Sequence, residues 1–191
     1  MFPLNVPNLL TVVRILLVPV LVVVLLQATP HGSWIAAIVF AVASMTDAVD
    51  GWLARRRQSI TTFGKLMDPL ADKLLVIGAL LTLVSLGRLA AWVAMVIIAR
   101  EFAVSGLRVA AAAQGVVIPA SALGKVKTIT QVAAVLALIA AHKGAWWPQA
   151  LLYVAVATTI ASGADYFLGF RRRIEEARAA REARGPRRLP I

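Results

Sequence analysis

Six stretches of this chain are mainly apolar and each about as long as a bilayer is thick, at roughly 7–27, 33–54, 64–86, 89–112, 122–142 and 147–170. A helix rising 1.5 Å per residue needs roughly 20 such residues to cross a hydrocarbon layer. Inside that layer no water is present to satisfy backbone N–H and C=O groups, so a spanning segment must form its hydrogen bonds within itself as a helix. Only 15% of the residues are charged, against about a quarter in soluble domains, and the mean hydropathy is +0.82. A soluble helical core does not need so many long apolar runs. The pattern predicts an all-α integral membrane protein of six transmembrane helices. The first run has no basic segment ahead of it and carries Arg14 inside it. It therefore reads as a retained span rather than a signal peptide. With no cysteine in the chain, disulfides and thiolate metal sites are excluded.

Basic residues in short loops set orientation. The connections at 27–33, 86–89 and 142–147 hold only Arg88 and Lys143 as fixed positive charges. Those at 54–65 and 108–127 hold Arg55, Arg56, Arg57, Lys65, Arg108, Lys125 and Lys127. The segment 171–191 carries eight arginines and three glutamates, a net of +5. Both termini and the two basic loops are thus predicted on the cytoplasmic side of the plasma (inner) membrane of a bacterium, against an anionic leaflet. The chain divides into a membrane domain over 1–170 and a basic cytoplasmic helix and tail over 171–191, helical as far as Gly185-Pro186. Although the net charge is +11, nucleic-acid binding is not expected, because no soluble domain exists to carry it. Trp146, Trp147 and Pro148 stand where an interfacial aromatic belt would lie.

Four of the five aspartates fall in "TDAVDGWLARRRQSITTFGKLMDPLADK", residues 46–73. Asp47 and Asp50 are three apart, Asp68 and Asp72 four apart, and on helices each spacing puts the pair on one face. A short connection between the second and third spans would bring the four carboxylates together. Such a cluster repels itself strongly at low dielectric unless cations or protons neutralise it. Oxygen-only donors suit hard divalent ions, Mg²⁺ or Mn²⁺, two of which would balance four carboxylates. Because Mg²⁺ commonly engages phosphates, a phosphorylated substrate is expected. Gly51 allows a ligand close to the backbone, and Arg55 offers a guanidinium fork to phosphate. Salt bridges to Arg55–Arg57 are the competing explanation.

The stretch reads Asp47-x2-Asp50-Gly51-x2-Ala54-Arg55-x8-Gly64-x3-Asp68-x3-Asp72. It resembles the full signature of the CDP-alcohol phosphotransferases, every fixed position filled at the right spacing. The resemblance implies six spans, a homodimer, and transfer of a phosphatidyl or related group from a CDP-linked donor to an alcohol with release of CMP. It also implies that Asp47, Asp50, Asp68 and Asp72 hold the metals and that Asp72 is the general base. Gly51, Arg55, Thr61 and Asn8 would then serve the CDP moiety.

The acceptor is signalled elsewhere. In "AREFAVSGLR", Glu101, Ser105 and Arg108 follow an i, i+4, i+7 pattern and share one helix face; Arg100 adjoins them. "SALGKVKTIT" adds Lys125 and Lys127 at a similar level. Several cations beside a metal–phosphate site suggest an anionic acceptor. The alternative is that they merely mark positive-inside loops. These segments, and the opening "NVPNLLTVVRI" with its polar stripe Asn8, Thr11 and Arg14, resemble the phosphatidylglycerophosphate synthase branch. That implies CDP-diacylglycerol as donor and glycerol 3-phosphate as acceptor. A phosphatidylinositol-phosphate synthase, or a serine- or cardiolipin-forming relative, remains the alternative within the family. A cation transporter is the alternative outside it. Ionisable groups at membrane depth usually face a cavity or a partner, which is the expectation for Glu101 and Asp165.

Overall fold

A computed structural model describes residues 6–27, 29–57, 62–116, 121–142 and 144–183. Within those ranges the side chains of 6–8, 30–32, 47–57, 62–69, 177–178 and 180–183 fall outside the description. The described residues form six helices: α1 (Val6–Leu26), α2 (Pro30–Arg57), α3 (Thr62–Ser85), α4 (Ala91–Ala113), α5 (Ala122–Ala140) and α6 (Trp147–Ala183). Each coincides with one of the six apolar runs. Pro7 stands in the first turn of α1, where its missing N–H is no loss. The last helix continues past the apolar run to Ala183, carried by Ala, Arg and Glu, which are strong helix formers. Its surface is laced by the i, i+4 pairs Arg171–Glu175 and Arg172–Glu176.

By length and composition, Leu9–Leu26, Ala122–Ala140 and Trp147–Glu176 are long and apolar enough to cross a membrane, and Ser33–Thr46 is a shorter apolar helix. Helices α2, α3 and α4 are apolar along only part of their length. Their charged residues gather away from one end: in the C-terminal part of α2, the N-terminal half of α3 and the middle and C-terminal part of α4. Asp72 and Lys73 lie in α3, and Arg100, Glu101 and Arg108 in α4. These groups give the bundle one polar end.

The connections are short and the helices alternate in direction. Arg14 of α1 meets Asp72 of α3, and Glu101 of α4 meets Lys127 of α5, at the polar end. At the other end Arg88, just after α3, donates to the carbonyls of Ile139 and Ala141 at the close of α5. Gly87 makes the turn there with φ of 64°, and Arg88 N–H reaches back to the Leu83 carbonyl, a helix-ending geometry that favours glycine. The core takes fully buried side chains from every helix, among them Leu21, Phe40, Leu80, Ile97, Ile139 and Leu152. The outward surface is apolar too, with Leu16, Ile38, Leu81, Met95 and Ile129 all exposed. Lipid tails solvate such side chains well, so helix association rests on close packing rather than on burial from water. Helix α1 packs tightly on α3 through Gly78, where a Cβ would stand 3.0 Å from Val18 Cγ1.

Candidate functional site

The site begins at the α1–α3 contact. Arg14 is buried, with 2% of its side chain exposed, and its Nη1 donates to Asp72 Oδ1 at 3.0 Å. An arginine buried in a bundle needs a partner, and the Asp72 carboxylate is one. Asp72 itself stays 41% exposed, because it opens on a cavity of about 620 Å³ enclosed by α3, α4, α5 and Tyr166 of α6. The volume lies in the range of small-molecule sites.

The wall has two parts. Toward the polar end it is lined by Lys73, Arg100, Glu101, Ser105, Arg108 and Lys125. Deeper in the bundle it becomes apolar, through Val76, Leu80, Ile97 and Val132. The spacing of Glu101, Ser105 and Arg108 does put all three on the cavity face of α4. Glu101 is the electrostatic hub. Its Oε1 accepts from Lys127 Nζ and lies 3.5 Å from Arg100 Nη1. Lys127 is buried, and its ammonium reaches from α5 across to α4. Arg100 also donates from Nη2 to Ser162 Oγ on α6 at 2.6 Å. Its stem is admitted by Gly163, where a Cβ would lie 3.3 Å from Arg100 Cγ. Arg108 is held differently. Its Nε donates to Tyr166 Oη at 3.4 Å and its guanidinium stands 5.7 Å from the ring centroid, with no carboxylate within ion-pair distance among the described residues. Among the described residues, Lys73 and Lys125 have no carboxylate within ion-pair distance. The cavity therefore carries cations in excess of its anions.

Helix α5 begins at the cavity rim. Ser121 caps it, its Oγ accepting from Gly124 N at 3.1 Å, and both residues line the cavity. The uncompensated N–H groups of that first turn add positive potential on the same side as Lys125.

Of the residues expected from sequence, Asp72, Arg100, Glu101, Ser105, Arg108, Lys125 and Lys127 line this one cavity. Arg14 and Thr11 are buried on α1, with Arg14 touching the site through Asp72. Asp47, Asp50, Gly51, Arg55, Gly64 and Asp68 lie on α2 and α3, but their side chains lie outside the described residues, as does that of Asn8; Thr61 lies outside them altogether. The two aspartate pairs do sit at helical spacings on continuous helices. Among the described side chains no group of three metal-ligating residues occurs; three of the four aspartates are not among them. Asp165 departs from expectation: it is exposed on α6 and away from the cavity. The neighbouring Tyr166 occupies the inward position, and one residue is a rotation of about 100° on a helix.

Sequence reasoning passed over Lys73, Tyr166 and Gln131. Gln131 stands one turn below Lys127, 4% exposed, and its Oε1 has no hydrogen-bond partner among the described residues. Its i+4 spacing from Lys127 was the available signal.

Comparison with known proteins places these observations in context. The family model for CDP-alcohol phosphatidyltransferase matches residues 4–161. A Bacillus subtilis protein named CDP-diacylglycerol–glycerol-3-phosphate 3-phosphatidyltransferase is 43% identical, the match covering 85% of this chain and 93% of the relative. A Rickettsia bellii protein of the same name is 37% identical over the same shares. A Mycobacterium tuberculosis protein named probable phosphatidylglycerophosphate synthase is 40% identical, covering 85% of this chain and 79% of the relative.

Proposed function

The chain belongs to the CDP-alcohol phosphatidyltransferase family, and from that premise we propose that it transfers the phosphatidyl group of CDP-diacylglycerol to glycerol 3-phosphate, giving phosphatidylglycerol phosphate and CMP. It is a membrane-bound transferase of phospholipid biosynthesis. The observation that carries the acceptor assignment is the cavity that Asp72 shares with Lys73, Arg108 and Lys125, cations with no carboxylate partner among the described residues. The names of the similar proteins agree with it.

Transfer requires a hydroxyl oxygen of the acceptor to bond to the phosphatidyl phosphorus. The bond from that phosphorus to the CMP oxygen breaks, and CMP leaves with the electron pair. Asp72 takes the hydroxyl proton. Arg14 fixes the carboxylate through Oδ1, so that the base is oriented before substrate arrives. Asp47, Asp50, Asp68 and Asp72, a hard oxygen donor set, would hold Mg²⁺ or Mn²⁺, in our reading two ions. When bound, these would screen the diphosphate and stabilise charge on the departing CMP. Gly51, Arg55, Thr61 and Asn8 serve the nucleotide and diphosphate, with Gly64 of α3 in a supporting place. Arg108, Lys125 and the first turn of α5 receive the acceptor phosphate. Arg100 and Lys127 stand behind them, already engaged with Glu101, with Ser105 on the same face. The basic residues of this end support a cytoplasmic location for the cavity and both termini, at a bacterial inner membrane. On this reading 1–170 is a six-span catalytic domain that works as a homodimer, and 171–191 rests on anionic lipid.

The test is CMP release by purified protein with CDP-diacylglycerol and Mg²⁺, comparing glycerol 3-phosphate, inositol phosphate, inositol, serine and phosphatidylglycerol as acceptors. Turnover confined to glycerol 3-phosphate and abolished by Asp72→Asn is the expected result. Turnover with a different acceptor alone overturns the assignment.

A further inference from the structure

Helix α3 presents two consecutive residues to different neighbours. Asp72 is held toward α1 by Arg14. Lys73, turned about 100° around the helix, lines the cavity that α4 and α5 enclose. The donor chemistry gathers on the α1–α2–α3 side, where the aspartates reside, and the anion-receiving cations gather on the α3–α4–α5 side. Lys73 is the residue of α3 that belongs to the second group while adjoining the first.

The charges of the cavity sort into two sets. Glu101 engages both Arg100 and Lys127. Lys73, Arg108 and Lys125 are left without a carboxylate partner among the described residues. An acceptor phosphate carries nearly two negative charges at neutral pH. It must also approach a donor diphosphate that is itself anionic, and at the low dielectric of a bundle interior that approach is strongly opposed. Arg108 and Lys125 lie toward the far wall and the rim, on α4 and the first turn of α5. Lys73 lines the same cavity as both, and on α3 it directly follows Asp72.

We infer that Lys73 is a specificity-determining residue that binds the acceptor's phosphate from the α3 side and separates it electrostatically from the donor diphosphate. The inference rests on the reaction proposed above. An ammonium suits the task, being a compact charge on a flexible stem that can follow the phosphate as the hydroxyl closes on phosphorus. Lys73 acts on binding and placement of the acceptor; the proton transfer remains with Asp72.

Steady-state kinetics in both substrates test this. Lys73→Gln is expected to raise the KM for glycerol 3-phosphate about tenfold or more, the range of one charge-assisted hydrogen bond, with the KM for CDP-diacylglycerol changed less than about twofold. Lys73→Arg should restore the acceptor KM to within about threefold of the parent. Independently of turnover, glycerol 3-phosphate should raise the thermal unfolding temperature of the parent and of Lys73→Arg in detergent, without lipid donor, and should do so much less for Lys73→Gln and Lys73→Met. An unchanged acceptor KM, or an equal rise in both KM values, or equal protection of all four proteins overturns the inference. A parent protein that releases no CMP with glycerol 3-phosphate instead overturns the reaction on which it rests.

Discussion

The Glu101 hub makes a sharp energetic prediction. In Glu101→Gln the amide keeps the shape and one acceptor oxygen, but the buried ammonium of Lys127 loses its counter-ion. Removing one partner of a buried pair costs about 3–5 kcal/mol, because the survivor is left charged and uncompensated. The Lys127 side chain is 6% exposed and that of Glu101 17%, and Arg100 keeps its bond to Ser162. The pair also lies toward the polar end rather than at mid-bundle. These features select the lower bound, about 3 kcal/mol. For a domain of this size that corresponds to a fall of about 6–12 °C in unfolding temperature, read by tryptophan fluorescence and by loss of the monodisperse peak in detergent. Lys127→Met added to Glu101→Gln removes both charges while keeping an unbranched side chain of similar length. The double variant should recover to within about 1 kcal/mol of the parent, since apolar replacement of a buried pair is close to neutral. A single variant that melts within about 2 °C of the parent, or a double variant less stable than the single, would refute the assignment of Lys127 as a charge that depends on Glu101.

Two further outcomes are expected. Arg108→Gln, which forfeits a guanidinium held over Tyr166 but breaks no ion pair among the described residues, should raise the KM for glycerol 3-phosphate about tenfold with little effect on unfolding temperature; a matched loss of stability would make Arg108 a packing residue instead. Chelation of divalent cations should abolish CMP release and millimolar Mg²⁺ or Mn²⁺ should restore it, whereas full turnover in the chelated protein would remove the four-aspartate metal site from the scheme.

Much of the fold is written in hydropathy. The apolar runs give all six helices to within a few residues, except where α6 carries on to Ala183 under helix propensity after the apolar run has ended. The shared cavity face of Glu101, Ser105 and Arg108 was equally legible, because i, i+4, i+7 spacing on one helix is a local property. What one-dimensional spacing could not supply is pairing between helices. Arg100 and Arg108 look alike in the sequence, yet Arg100 is consumed by Glu101 and by Ser162 across on α6, and Arg108 is not. Lys73 carries no signal of its own beside Asp72, because adjacent residues on a helix face different ways and the cation that Asp72 meets is Arg14, 58 residues away on α1. By the same rotation of one residue, Tyr166 rather than Asp165 reaches the cavity.

The distribution of polarity along the bundle also separates group transfer from conduction. A cation path needs polar groups on both sides of the midplane. Here the cavity descends from Lys125 and Arg108 past Gln131 and ends on Leu80, Ile97 and Val132. Beneath it Phe40, Leu83 and Ile139 are fully buried. At the opposite end the described arginine, Arg88, spends its donors on the carbonyls of Ile139 and Ala141 and accepts from Gln149 at its own carbonyl, which closes that end of α5 rather than opening a route. Among the described residues the pocket is charged at one mouth and backed by a packed apolar layer at mid-depth, an arrangement suited to admitting a phosphorylated alcohol from water and returning CMP to the same side rather than to conduction. The lipid product needs no polar exit, since its acyl chains are already in the phase that surrounds Leu81, Met95 and Ile129.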